Sequence, residues 1–182
     1  MIPLSSIFNS NTLIVSFDEL KYFTKVKTLN EVFQSCSALE YVNFENVTTL
    51  NGLVCRYCNK MKSVYLPKVT TITGYYKFSD CSSLESVIID NLSTMSGGQF
   101  LRFCSKHKWT VWRVSALPSV TRNTNWQAIP GSIYVNDELY DSFKAMTLNG
   151  GGSASYITGK VKKLSSFATD YPDVVLPEKV VL

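Results

Sequence analysis

The chain has 182 residues, 45% of them hydrophobic and 18% charged, which excludes intrinsic disorder and supplies enough apolar surface for one buried core. Its longest aliphatic runs, such as Leu13-Ile14-Val15 and Val174-Val175-Leu176, are far shorter than the roughly 20 residues of a membrane helix, so no membrane insertion is expected. The net charge is +4 and the pI 8.7, below the range of a dedicated nucleic-acid binder, so no specific nucleic-acid partner is expected either.

The residues before Lys21 contain no lysine or arginine, no continuous apolar stretch and no small-residue cleavage site, so they do not read as a secretory signal. Localisation stays open on this reading: a virion or cytoplasmic protein, or a cell-surface one if the chain is part of a larger exported protein. Residues 1–22 are expected to form an irregular capping coil. From Lys21 to Arg122 there are thirteen bases and six acids, a basic body that acts as a steering field for anionic partners.

The next stretch has a beat. Cys36, Cys58, Cys81 and Cys104 are spaced by 22, 23 and 23 residues, and neighbouring positions keep the same interval. Three after the first three cysteines come Leu39, Met61 and Leu84, six after come Val42, Val64 and Val87, and eight after come Phe44, Leu66 and Ile89. Val47-Thr48-Thr49-Leu50 answers Val69-Thr70-Thr71-Ile72 and Leu92-Ser93-Thr94-Met95. Periods of this length mark solenoids, in which units that cannot bury an apolar face alone stack into a continuous core.

Within each unit Leu39–Phe44, Met61–Leu66 and Leu84–Ile89 carry apolar residues at relative positions 1, 4 and 6, the basis for a strand in each and a parallel sheet overall. The return arms, Asn30–Cys36 and Thr73–Cys81, read as a turn leading into a short helix or helical turn. If the strands stack in register, outward side chains form three columns: Tyr41, Ser63, Ser86; Asn43, Tyr65, Ile88; and Glu45, Pro67, Asp90.

The unit Phe33-x-x-Cys36-x-x-Leu39-x-x-Val42-x-Phe44, repeated at Phe78, Cys81, Leu84, Val87 and Ile89, resembles the BspA-type leucine-rich repeat. Ile133 to Leu139, Phe143-Lys144-Ala145 and Lys162-Lys163-Leu164-Ser165 resemble the cap that closes such arrays, although Asn136 stands where the cap usually has proline. The resemblance covers roughly Phe17 to Phe167. It implies an α/β fold, a short right-handed leucine-rich-repeat solenoid with a parallel β-sheet face and a C-terminal helical cap, used for adhesion or protein binding and carrying no catalytic residues. The expected organisation is repeats over 23–130, cap over 131–167 and an extended tail over 168–182, the tail being either an arm that pairs with another chain or a frayed end. At the cap, Asn136 is expected to N-cap a helix in which Leu139 and Phe143 share one face.

Chemistry-bearing patterns read mostly as core. Cys55-x-x-Cys58 lacks the second pair of a structural zinc site, and Cys55 falls in the column of Phe33, Phe78 and Leu101. Neighbouring ladder cysteines would point the same way, so reduced thiols are expected. Gly150–Ser153 with Gly159-Lys160 has the wrong spacing for a phosphate loop. Glu45 and Asp90, two coils apart at roughly 9.6 Å, approach an inverting glycosidase pair, but an open face would keep both solvated. With a single histidine, His107, the chain is expected to be no enzyme, with no cofactor and no metal ligands. Trp109, Trp112 and Trp126 are assigned to packing of an irregular final coil.

The expected function is a non-enzymatic adhesion module of a bacterial surface protein that recognises a protein or glycan partner through the concave sheet face, at Tyr41, Asn43, Glu45, Ser63, Tyr65, Ser86, Ile88 and Asp90. The alternative is a phage virion component, a fibre or head-decoration protein that would form a symmetric homo-oligomer.

Overall fold

A computed structural model of the chain describes residues 3–120, 129–149 and 160–182. Trp126 and Gly150–Ser153 therefore lie outside the described residues. Each coil contributes one strand to each of two parallel sheets. The first sheet stacks β1 (Pro3–Ser5), β3 (Thr28–Asn30), β5 (Thr49–Asn51), β7 (Thr71–Thr73), β9 (Thr94–Met95) and β11 (Ser119–Val120). The second stacks β6 (Ser63–Leu66), β8 (Ser86–Ile89), β10 (Trp109–Trp112), β12 (Ser132–Val135) and β13 (Val161–Lys163), preceded by the pair β2 (Ser16–Phe17) and β4 (Tyr41–Val42). The result is the expected right-handed solenoid with parallel sheets, because a strand that returns to lie parallel to its predecessor does so through a right-handed crossing.

The repeat interval sets the register. Val64, Val87, Thr110 and Ile133 pair in one column and Leu66, Ile89, Trp112 and Val135 in another, and both columns point into the core. The opposite core wall is the column Leu4, Leu29, Leu50, Ile72 and Met95. Between the walls lie Phe33, Cys55, Phe78 and Leu101, all fully buried. Trp112 packs edge-to-face on Phe143 of α1 (Tyr140–Asn149), 5.2 Å between ring centroids, so the cap helix seals the end of the core.

Four findings differ from the sequence reading. The Thr-Thr-Leu element builds a second sheet, where only one sheet face had been expected. Of the two forms expected of the return arms, a single turn is present and the short helix is not, because the residue before each ladder cysteine (Ser35, Tyr57, Asp80, Phe103) has φ near +60° and stops a helical run. Trp109 and Trp112 pack as expected, but on the regular strand β10, in register with both neighbours. Asn136 sits at the cap start without capping it; its Nδ2 donates to Val114 O of the preceding coil at 2.8 Å.

The five cysteines are free and buried, as expected. Each ladder thiol donates to a main-chain carbonyl of the coil before it: Cys36 to Phe8, Cys58 to Phe33, Cys81 to Cys55 and Cys104 to Phe78, at 3.0–3.1 Å. Burial pushes the Cys36 thiol up to about 11 and the Cys104 thiol up to about 12, so both stay protonated and inert while donating.

Candidate functional site

The outer face of the second sheet, the one expected to be concave, divides in two. At its N-terminal half a groove of about 460 Å³ is lined by Tyr41, Asn43, Glu45, Ser63, Tyr65, Pro67 and Lys68, together with Glu178 and Val180 of the tail. Strand alternation places Ser63 and Tyr65 outward while Val64 and Leu66 point into the core. Tyr41 is 46% exposed at the lip. Asn43 is held by its amide donating to Asp18 Oδ1 at 3.1 Å and its Oδ1 accepting from Glu45 N at 3.0 Å. Lys21 and Asn43 together hold the Asp18 carboxyl below its usual range.

The C-terminal half is covered by the chain itself. Ile88, Trp109, Val111 and Tyr134, outward on successive strands, are buried under Phe167 of α2 (Phe167–Asp170), with Tyr171 and Leu176 packed alongside. Trp109 and Tyr134 meet Phe167 edge-to-face at 4.9 and 5.0 Å. The tail folds back over its own sheet. Ile88, Trp109, Val111 and Tyr134 left bare would expose a large apolar patch, and this segment removes it.

Asp90 also departs from expectation. It is fully buried, and its carboxylate takes two bonds from Arg113, Nε at 2.7 Å and Nη2 at 3.0 Å. Tyr65 Oη lies 2.8 Å from Asp90 Oδ2 and 3.0 Å from Glu178 O, sharing one proton between them. Burial first, then the Asp90 carboxylate, pushes the Tyr65 hydroxyl up to about 12. Val180 N donates to Asp90 Oδ2 at 3.2 Å, and Asn91 Nδ2 donates to Val180 O at 2.6 Å and to Pro67 O at 2.7 Å. Arg113 Nη1 donates to Pro177 O.

Of the eight residues singled out in the sequence, the groove brings together Tyr41, Asn43, Glu45, Ser63 and Tyr65. It leaves out Ser86, which is half-buried, Ile88, buried under the tail, and Asp90, enclosed in its ion pair. Glu45 is exposed whereas every acceptor side of Asp90 is engaged, so the two acids do not form the solvated pair the sequence suggested. Arg113 and Asn91 were missed. The signal was available: Glu45, Pro67, Asp90, Arg113 and Asn136 continue one column at intervals of 22, 23, 23 and 23 residues, so the base belongs beside the acid.

Among the described residues there is no group of histidine, cysteine, aspartate or glutamate that could hold a metal ion, and no helix long and apolar enough to cross a membrane. Two stacked parallel sheets with an interval of 22–23 residues define a leucine-rich-repeat solenoid. The BspA-type leucine-rich repeat matches residues 5–127 in six copies, and the chain belongs to that family. No curated protein and no solved structure matches it. A leucine-rich-repeat protein is in general a protein-binding repeat module.

Proposed function

We propose that the chain is a non-enzymatic recognition module that binds a protein partner in the groove between Tyr41 and the tail. The observation that carries this is the half-exposed Tyr41 ring on β4 beside a groove of about 460 Å³ that runs across to Ser63 and Tyr65 on β6. An aromatic ring on a rigid platform gives large contact area at small entropy cost, as interface anchors do. Ser63 and Glu45 supply hydroxyl and carboxylate groups at the rim. A glycan would use the same ring through stacking, and an adhesive role on a bacterial surface is what the family resemblance implies; a phage virion would use the face in the same way.

The test is binding to purified surface proteins and to a glycan array by the wild-type chain and by Tyr41→Ala and Ser63→Lys. Both substitutions are at exposed positions, where stability changes stay within about 0.5 kcal/mol. Hits that weaken at least tenfold in both variants, with melting temperatures unchanged, support the groove. Hits of undiminished affinity in both remove it as the recognition site. Retention of glycan hits alone would favour the sugar partner over the protein one.

A further inference from the structure

The tail is held in two different ways. Up to Leu176 it is anchored by aromatic packing over Trp109 and Tyr134. Beyond Leu176 most side chains are exposed, Pro177, Glu178 and Lys179 among them and Val181 at 81%, with Val180 half-buried against the groove. The hydrogen bonds that hold residues 177–180 all go to its main chain. Pro177 O accepts from Arg113, Glu178 O lies against the Tyr65 hydroxyl, Val180 N donates to Asp90, and Val180 O accepts from Asn91.

We propose that Tyr65, Asp90, Asn91 and Arg113 form a clamp for the main chain of an extended peptide, that the chain's own 177–180 segment occupies it as a displaceable strap, and that a segment of a protein partner takes its place. Three observations point this way. Groups that read carbonyls and an amide, and no side chain, accept many sequences, as in the capture of extended peptides by main-chain pairing. A strap held chiefly by main-chain hydrogen bonds, with only Val180 half-buried, gives up bonds that an incoming main chain can remake, so exchange is easy. The groove continues along the strap past Glu178 and Val180 toward Tyr41, leaving room for the side chains of an incoming segment. The inference rests on the recognition reading above and names its ligand class: an extended peptide.

Tethering gives the strap a millimolar effective concentration, which lowers the apparent affinity of a competing peptide by the fraction of time the clamp is free. The experiment uses the full chain and Val180→Pro, which removes the N–H donated to Asp90. The probe is a fluorescein-labelled synthetic peptide with the sequence of residues 174–182, read by anisotropy. Release of the strap is checked by the fall in backbone order at Lys179 and Val181 in heteronuclear relaxation. The expected result is binding at least tenfold tighter to Val180→Pro than to the wild type, weakened at least threefold when Tyr65→Phe is added.

Equal affinity, or none, in a variant whose strap is shown to be released overturns the clamp. A wild-type dimer in light scattering that Val180→Pro abolishes would place the segment in a second copy's clamp and overturn the partner-peptide assignment. Peptide binding with no Tyr41-dependent partner would leave the clamp standing and remove the recognition reading. A Tyr41-dependent partner without peptide binding would do the reverse.

Discussion

The ladder cysteine is a residue with two uses in one position. It fills the core as a small apolar group, and its S–H meets a carbonyl that the turn geometry leaves pointing into the interior. Lys77 is the residue that breaks a comparable column. Its predecessors Val32 and Val54 and its successor Phe100 are buried and apolar, and Lys77 is just as buried, its amine donating to Gly74 O. Burial lowers its pKa to about 7 from the usual 10.5. Between these values the unfolded chain binds more protons than the folded one, so this group makes stability rise with pH from about 7 to 10.5, by at most about 1.4 kcal/mol per unit. Below pH 7 its penalty is complete. Lys77→Met should therefore raise the melting temperature at pH 6 and lose most of that advantage by pH 10, measured by calorimetry across the range. A constant difference at all pH values would show that the ammonium carries no burial penalty.

At the scale of the element, stacking is limited by backbone at the turns. The turns after β5, β7 and β9 place Gly52, Gly74 and Gly97 above one another, each with positive φ. A Cβ on Gly97 would lie 1.8 Å from Gly74 O, a clash with main chain that no rotamer change relieves. Gly97→Ala should cost about 2 kcal/mol or more, while Gly52→Ala, whose Cβ meets only the flexible Glu31 side chain, should cost less. Urea denaturation of the two variants measures the order, and equal costs would refute the stacking argument. The strands themselves were legible, since alternation and interval both survive in the text of the sequence. The first sheet was not, because Thr-Thr-Leu carries only one inward residue per coil. Its outward hydroxyls bond to the coil before: Thr70 and Ser93 donate to Thr48 O and Thr70 O.

At the scale of the whole molecule, the last coil must join the cap, and His107 does this. Its Nδ1 accepts from Gly131 N at 3.1 Å and its Nε2 lies 3.0 Å from Thr110 Oγ1, so the neutral ring is the Nε2–H tautomer with both nitrogens used. Burial pushes its pKa down to about 4 from 6.5. A depressed pKa contributes stability that is present above about 6.5 and lost as pH falls from there toward 4, because over that range the unfolded imidazole takes up a proton that the buried ring does not. In His107→Gln that portion of the acid limb of the stability curve should flatten. A limb unchanged in slope between pH 6.5 and 4 would show that other groups carry it.

The site was partly legible for the same reason as the fold. Interval arithmetic puts Tyr41, Ser63 and Tyr65 on one outward face, and it would also have paired Asp90 with Arg113. It cannot show what covers that face, because the covering segment lies outside the repeat and has no period of its own. The sequence by itself determined the coil, the register of the sheet of β6, β8, β10 and β12, and the inward or outward sense of its strand residues, since these follow from local alternation repeated at a constant spacing. Only the tertiary structure decided which outward residues stay open. That depends on a non-repeating segment from Phe167 onward finding the aromatic side chains of Trp109 and Tyr134, an apolar contact between segments tens of residues apart that no local pattern encodes.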